Sequence, residues 1–112
     1  MSRTATGLRA WVVQRATAIY LGVFFVYLIG HWLVAPPADY AAWRAWVGHP
    51  VMNVAAVLFV LALLLHAWVG MRDILIDYLH PTALRVGLLG VIGLGLIACA
   101  LWAATVLFLA RL

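Results

Sequence analysis

The sequence predicts an all-α membrane protein with three transmembrane helices. Two observations predict it. Of 112 residues, 69% are hydrophobic and only 9% are charged, against about 25% charged in a soluble domain. The apolar residues also fall in three runs, each long enough to cross a bilayer, which takes about 20 residues. Lysine and glutamate are absent, so seven arginines and three aspartates carry all the formal charge. No polar domain exists to present a basic face to nucleic acid, so the pI near 10 is read as membrane topology. Cys99 lies alone in an apolar run, with no disulfide partner and no metal-ligand spacing around it.

The first span is expected over residues 13–34. It ends at "APPAD", where two prolines stop a helix. Its apolar run is long for a secretory signal core, and no small-x-small cleavage site clearly follows, so it reads as a retained span. Trp11 and Trp32 near its ends fit an aromatic belt. The loop "PPADYAAWRAWVGHP" is too polar to span. Asp39 can cap a short helix over residues 39–47 that places Tyr40, Trp43 and Val47 on one face, as in a helix lying among headgroups.

The second span is expected over residues 51–71, entered through Pro50, and the third over residues 84–109, entered through Pro81. Proline suits a first helical turn, where the N–H has no partner. In the third span Gly93, Ala100 and Ala104 share a face and form a smooth stripe for close helix approach. The three spans make one membrane domain of residues 1–112. Arginine counting sets the orientation. Arg3, Arg9, Arg15, Arg72 and Arg85 lie on one side, and Arg44 and Arg111 on the other. This predicts a cytoplasmic N-terminus and a periplasmic C-terminus.

The second span contains the first chemical signal, "LLLHAWVGMRDILIDYLHP" over residues 63–81. An imidazole in hydrocarbon is costly unless its nitrogens are paired, which makes His66 a functional candidate. Three readings stand beside one another: a hydrogen bond to a neighbouring helix, a haem or metal ligand, and a proton carrier. Ala55, Phe59, Ala62, His66, Gly70, Asp73 and Asp77 lie on one helical stripe. The small residues one turn either side of His66 leave room for a flat ring system, and haem iron takes histidine as an axial ligand. His31, His49 and His80 offer no second ligand, so a haem at His66 would draw its other ligand from a partner chain.

Asp77 and Tyr78 form a second cluster at the boundary. They suit either an interfacial anchor or a quinone site, where a phenol donates to a carbonyl and a carboxylate relays protons. Arg15 is either a positive-inside anchor or the counter-charge for an anionic group such as a haem propionate. A small cation transporter would hold a membrane-embedded carboxylate, whereas all three aspartates lie in or near loops. A purely structural protein would not need His66 between small residues.

Two segments, "RATAIYLGVFFVYLIG" and "HAWVGMRDILIDYLHPTALR", resemble the hydrophobic (SdhD-type) membrane-anchor subunit of bacterial succinate dehydrogenase. The second carries that family's H-A-W-x-G-M…D-Y…P-x-A-L-R pattern, and the three-span layout extends the resemblance over nearly the whole chain. The resemblance implies that His66 is the haem b iron ligand, the opposite ligand coming from an SdhC-type companion anchor. It implies that Arg15 lies near the haem propionates, that Tyr78 hydrogen-bonds a ubiquinone carbonyl, and that Asp77 helps order the quinone site. It further implies a four-subunit respiratory complex in the bacterial inner membrane. Its flavoprotein oxidises succinate and its iron–sulfur subunit delivers electrons to the anchor. An anchor of a fumarate reductase is the neighbouring alternative. Some relatives carry a histidine roughly where Arg9 stands here, and a lysine where His80 stands.

Overall fold

The computed structural model describes residues 3–112, with side chains from Gly7 onward. The Arg3 side chain, counted in the orientation above, lies outside the described residues. Four helices follow in order: α1 (Arg3–Val34), α2 (Tyr40–Gly48), α3 (Pro50–Tyr78) and α4 (Thr82–Arg111). Three of them are long and apolar enough to cross a membrane. The molecule is 50 Å long and 25 Å across in both other directions, so its helices outrun a hydrocarbon core of about 30 Å.

Each long helix extends beyond the apolar run that reveals it. α3 continues seven residues past Met71, through Arg72, Asp73 and Asp77 to Tyr78. Hydropathy marks where lipid ends, whereas a helix ends where its hydrogen bonds do. Here the end is set by a cap. The Arg85 Nε donates to the Leu79 carbonyl at 3.0 Å, and its Nη2 reaches the Ile76 carbonyl at 3.2 Å. A guanidinium thereby covers orphan carbonyls at the negative end of the helix dipole. At the other end of the molecule, Asp39 caps α2, its Oδ1 accepting from the Ala42 N–H at 2.8 Å. The His49 Nδ1 accepts from the Val51 N–H at 3.3 Å, capping α3 just ahead of Pro50.

α3 is the central element. α1 packs along one side of it and α4 along another, while α1 and α4 do not meet among the described residues. α2 closes one end by packing on α3 and α4. Gly48 is essential to that closure, because a Cβ there would overlap the Ala110 carbonyl oxygen. Asn53, only 3% exposed, donates to the Val47 carbonyl at 3.1 Å and the Leu107 carbonyl at 2.9 Å. One amide thus ties the end of α2, the start of α3 and the end of α4 together. Gly93 on α4 admits the Trp68 ring of α3, with the hypothetical Cβ 3.4 Å from it. The glycine–alanine stripe on α4 therefore begins as a packing surface for α3.

Very little apolar surface is buried within the chain. Phe24, Val47, Met52 and Val69 are the buried hydrophobic residues among those described, and more than thirty large apolar side chains are exposed. A soluble monomer rarely shows apolar patches of such extent. Lipid or other membrane chains must cover these faces.

Candidate functional site

The site is built on the seam between α1 and α3, which run antiparallel. Near the α2 end the seam is aromatic. The Phe24 ring stacks on Phe59 at 4.8 Å between centroids, and the Tyr20 hydroxyl donates to the Ala55 carbonyl at 2.7 Å. Farther along, the seam turns polar. The Thr17 Oγ1 lies 3.1 Å from the His66 Nδ1. One turn on, the Gln14 side chain lies over Gly70, its Nε2 3.3 Å from where a Cβ would stand. The stripe Ala55–Phe59–His66–Gly70 therefore faces α1.

This register corrects one expectation. The opening beside Gly70, read from the sequence as room for a flat ring system, is taken by the Gln14 side chain. The small residue there lets α1 approach α3. His66 follows the first of the readings left open by the sequence, the hydrogen bond to a neighbouring helix. One ring nitrogen bonds a neighbouring helix through Thr17. The other, Nε2, is on the far side of the ring, and the residue as a whole is only partly buried.

Thr17 was not singled out from the sequence. It is 8% exposed, and its hydroxyl is 2.7 Å from the Val13 carbonyl, four residues back on its own helix, and 3.2 Å from the Gln14 carbonyl. The signal that could have found it is a threonine inside an apolar run, a position where the hydroxyl commonly back-bonds to the preceding turn and offers its lone pairs sideways. Gln14 was also missed. Its Oε1 is buried without a hydrogen-bond partner among the described residues, which leaves one acceptor open beside the His66 site.

The other predicted residues are distributed along the same helices. Asp77 follows His66 by eleven residues on the unbroken α3, which is three turns and therefore nearly the same face. Tyr78 ends the helix and is 77% exposed. Asp77 is exposed beside it. Asp73 pairs with its neighbour Arg72 at 3.2 Å. Arg15 is not brought to His66. It stands two residues from Thr17, about 200° round the helix at 3.6 residues per turn, is exposed, and its guanidinium lies 5.5 Å over the Trp11 ring.

The remaining histidines are elsewhere. His31 stacks flat on Trp46 at 4.5 Å near the α2 end, His49 caps α3, and His80 is exposed beyond it. No group of three or more metal-ligating side chains occurs among the described residues. A metal at His66 would need its other ligands from outside the described residues.

Comparison with known proteins is decisive at this point. Residues 1–107 match the family model described as succinate dehydrogenase/fumarate reductase transmembrane subunit. The chain belongs to this family. A relative, the succinate dehydrogenase hydrophobic membrane anchor subunit of Coxiella burnetii (strain RSA 493 / Nine Mile phase I), is 35% identical over 105 residues, covering 94% of this chain and 91% of the relative. Membership accounts for the exposed apolar faces, since a transmembrane subunit of a larger complex leaves its surfaces to lipid and to other subunits.

Proposed function

We propose that this chain is the hydrophobic membrane anchor of a bacterial succinate:quinone oxidoreductase. It shares a haem b with an SdhC-type companion chain through His66, and it contributes Tyr78 and Asp77 to a quinone-reduction site. The observation that carries this reading is the His66 environment. One nitrogen is engaged by Thr17 and the other is left for a ligand, in a chain whose family is that of succinate dehydrogenase and fumarate reductase anchors. A haem held there supplies a one-electron carrier within the membrane.

The chain's own residues take separate tasks. His66 would hold the haem iron through Nε2. Arg15, exposed on the face of α1 away from Thr17, would meet a haem propionate only round that helix, and its part in the site rests on the family resemblance alone. Tyr78, at the exposed end of α3, donates its phenol proton in a hydrogen bond to a quinone carbonyl. The Asp77 carboxylate beside it helps order the site and links it to water. Twelve residues of continuous helix separate His66 from Tyr78, about 18 Å at 1.5 Å per residue. That spacing puts the histidine deep in the bilayer when Tyr78 stands at its surface.

With the N-terminus in the cytoplasm, Tyr78 and Asp77 face the side where an iron–sulfur subunit and a succinate-oxidising flavoprotein dock. Ubiquinone is the electron acceptor in this scheme. The test is to purify the tagged chain from its native membranes. Co-purification of a flavoprotein, an iron–sulfur protein and a second hydrophobic chain, with a dithionite-reducible b-type absorption spectrum, is expected. A chain recovered with those partners but no haem would remove His66 as a ligand. A chain recovered without the partners would overturn the assignment as a whole.

A further inference from the structure

We infer that Thr17 is the positioning residue for His66: its hydroxyl accepts the Nδ1 proton, fixes the ring's tautomer and orientation, and leaves the Nε2 lone pair for the haem iron. This rests on the haem reading above and adds to it a role for a residue on a different helix.

The direction of the hydrogen bond follows from the distances. The Thr17 Oγ1 has one proton and three polar neighbours: the Val13 carbonyl at 2.7 Å, the Gln14 carbonyl at 3.2 Å and the His66 Nδ1 at 3.1 Å. Two oxygens 2.7 Å apart with no proton between them repel, so the hydroxyl proton lies toward Val13. The contact with His66 is then attractive only if Nδ1 carries the proton and Oγ1 accepts it. A neutral imidazole protonated at Nδ1 is unprotonated at Nε2. The tautomer is therefore set by a backbone carbonyl of α1, through one hydroxyl, for a ring on α3.

Such an acceptor does two things for a metal-bound histidine. It holds the ring plane, and it raises the basicity of the nitrogen bound to the metal. Thr17 is buried on the seam. Removing its hydroxyl takes away the acceptor that Nδ1–H uses and frees the ring to turn. The ligand becomes a weaker electron donor, which disfavours the ferric state and moves the haem midpoint potential upward.

The experiment compares Thr17→Val, Thr17→Ala and Thr17→Ser in the assembled complex, with His66→Ala beside them. Haem per complex and the haem midpoint potential are read by redox titration of the absorption spectrum. Valine keeps the shape and removes the acceptor, and serine keeps the acceptor. Expected are a positive potential shift and haem retention weakened roughly 10- to 100-fold in the valine and alanine variants, with both restored toward wild type by serine. If the valine variant does not assemble, the alanine and serine variants carry the comparison.

Potentials and haem contents equal across the acceptor-free variants, serine and wild type, while His66→Ala loses its haem, overturn the role of Thr17 and leave the ligand assignment standing. A wild-type haem spectrum in His66→Ala overturns the ligand assignment and this inference with it. A merely structural threonine would lower the yield of complex without moving the potential of the haem that remains.

Discussion

At the end closed by α2, polar side chains bond to backbone. Asn53 reaches the carbonyls of Val47 and Leu107, His49 accepts from the Val51 N–H, and Arg44 donates to the Leu109 carbonyl at 3.3 Å. Along the other half of the α1–α3 seam, polar groups are left partly unused. His66 is engaged at Nδ1, the Gln14 Oε1 has no partner among the described residues, and Asp77 and Tyr78 are exposed. A membrane chain can place a polar residue inside for either of two reasons. It can satisfy main-chain groups where helices end or cross, or it can hold something the chain does not itself contain. Satisfied donors mark the first kind, and spare valences mark the second. The α2 end is thus a clamp, and the proposed function makes the half running from Thr17 and His66 to Tyr78 the working half.

Substitutions in the two regions should separate stability from activity. The largest effect is expected in the working half. Tyr78→Phe removes one hydrogen bond to the quinone and should lower quinone reduction roughly 10- to 100-fold, with unchanged succinate oxidation by an artificial soluble acceptor and unchanged thermal inactivation. Full quinone reductase activity in that variant would break the distinction at its functional end.

In the clamp, Gly48→Ala forces the α2 and α4 backbones apart at Ala110, and Asn53→Leu leaves two carbonyls without their donor. Each should destabilise the assembled complex by about 1–3 kcal/mol, read as a lower inactivation temperature, while turnover per intact complex stays at the wild-type level. A turnover defect at full stability would move the clamp into the functional region.

The Arg85 cap of α3 lies beside Tyr78, at the far end of the molecule from the clamp. Arg85→Met should cost about 0.3–1 kcal/mol through the helix dipole, and it should also loosen the end that carries Tyr78, seen as a modest rise in the KM for quinone. The smallest effect is expected for Arg72→Gln. Its pairing with Asp73 is exposed and between sequence neighbours, so stability should change by less than about 0.5 kcal/mol.

The sequence announced much of this division and missed its details for identifiable reasons. The three spans and the Asp39 cap are local features, written in runs of hydropathy and in turn chemistry, and they were legible. The true end of α3 was not, because it depends on Arg85 folding back across the turn at Pro81. Thr17 and His66 are forty-nine residues apart, and no periodicity within one helix reports the register between two. The same gap explains Gly70. The stripe around His66 was correctly drawn, but which neighbour would fill the space beside it depended on where Gln14 falls when α1 docks. Asn53, an amide inside an apolar span, carried a signal that went unread, since a buried amide in a membrane helix must find partners.

The proposed function turns on what occupies the far side of the His66 ring. A density map of the assembled complex tests it directly. A haem is expected between this chain and its companion, its iron at coordination distance from the His66 Nε2, with the Thr17 hydroxyl on Nδ1. The Thr17–His66 pair intact, with acyl chains or a partner's apolar side chain packed against Nε2 in place of a macrocycle, would contradict it.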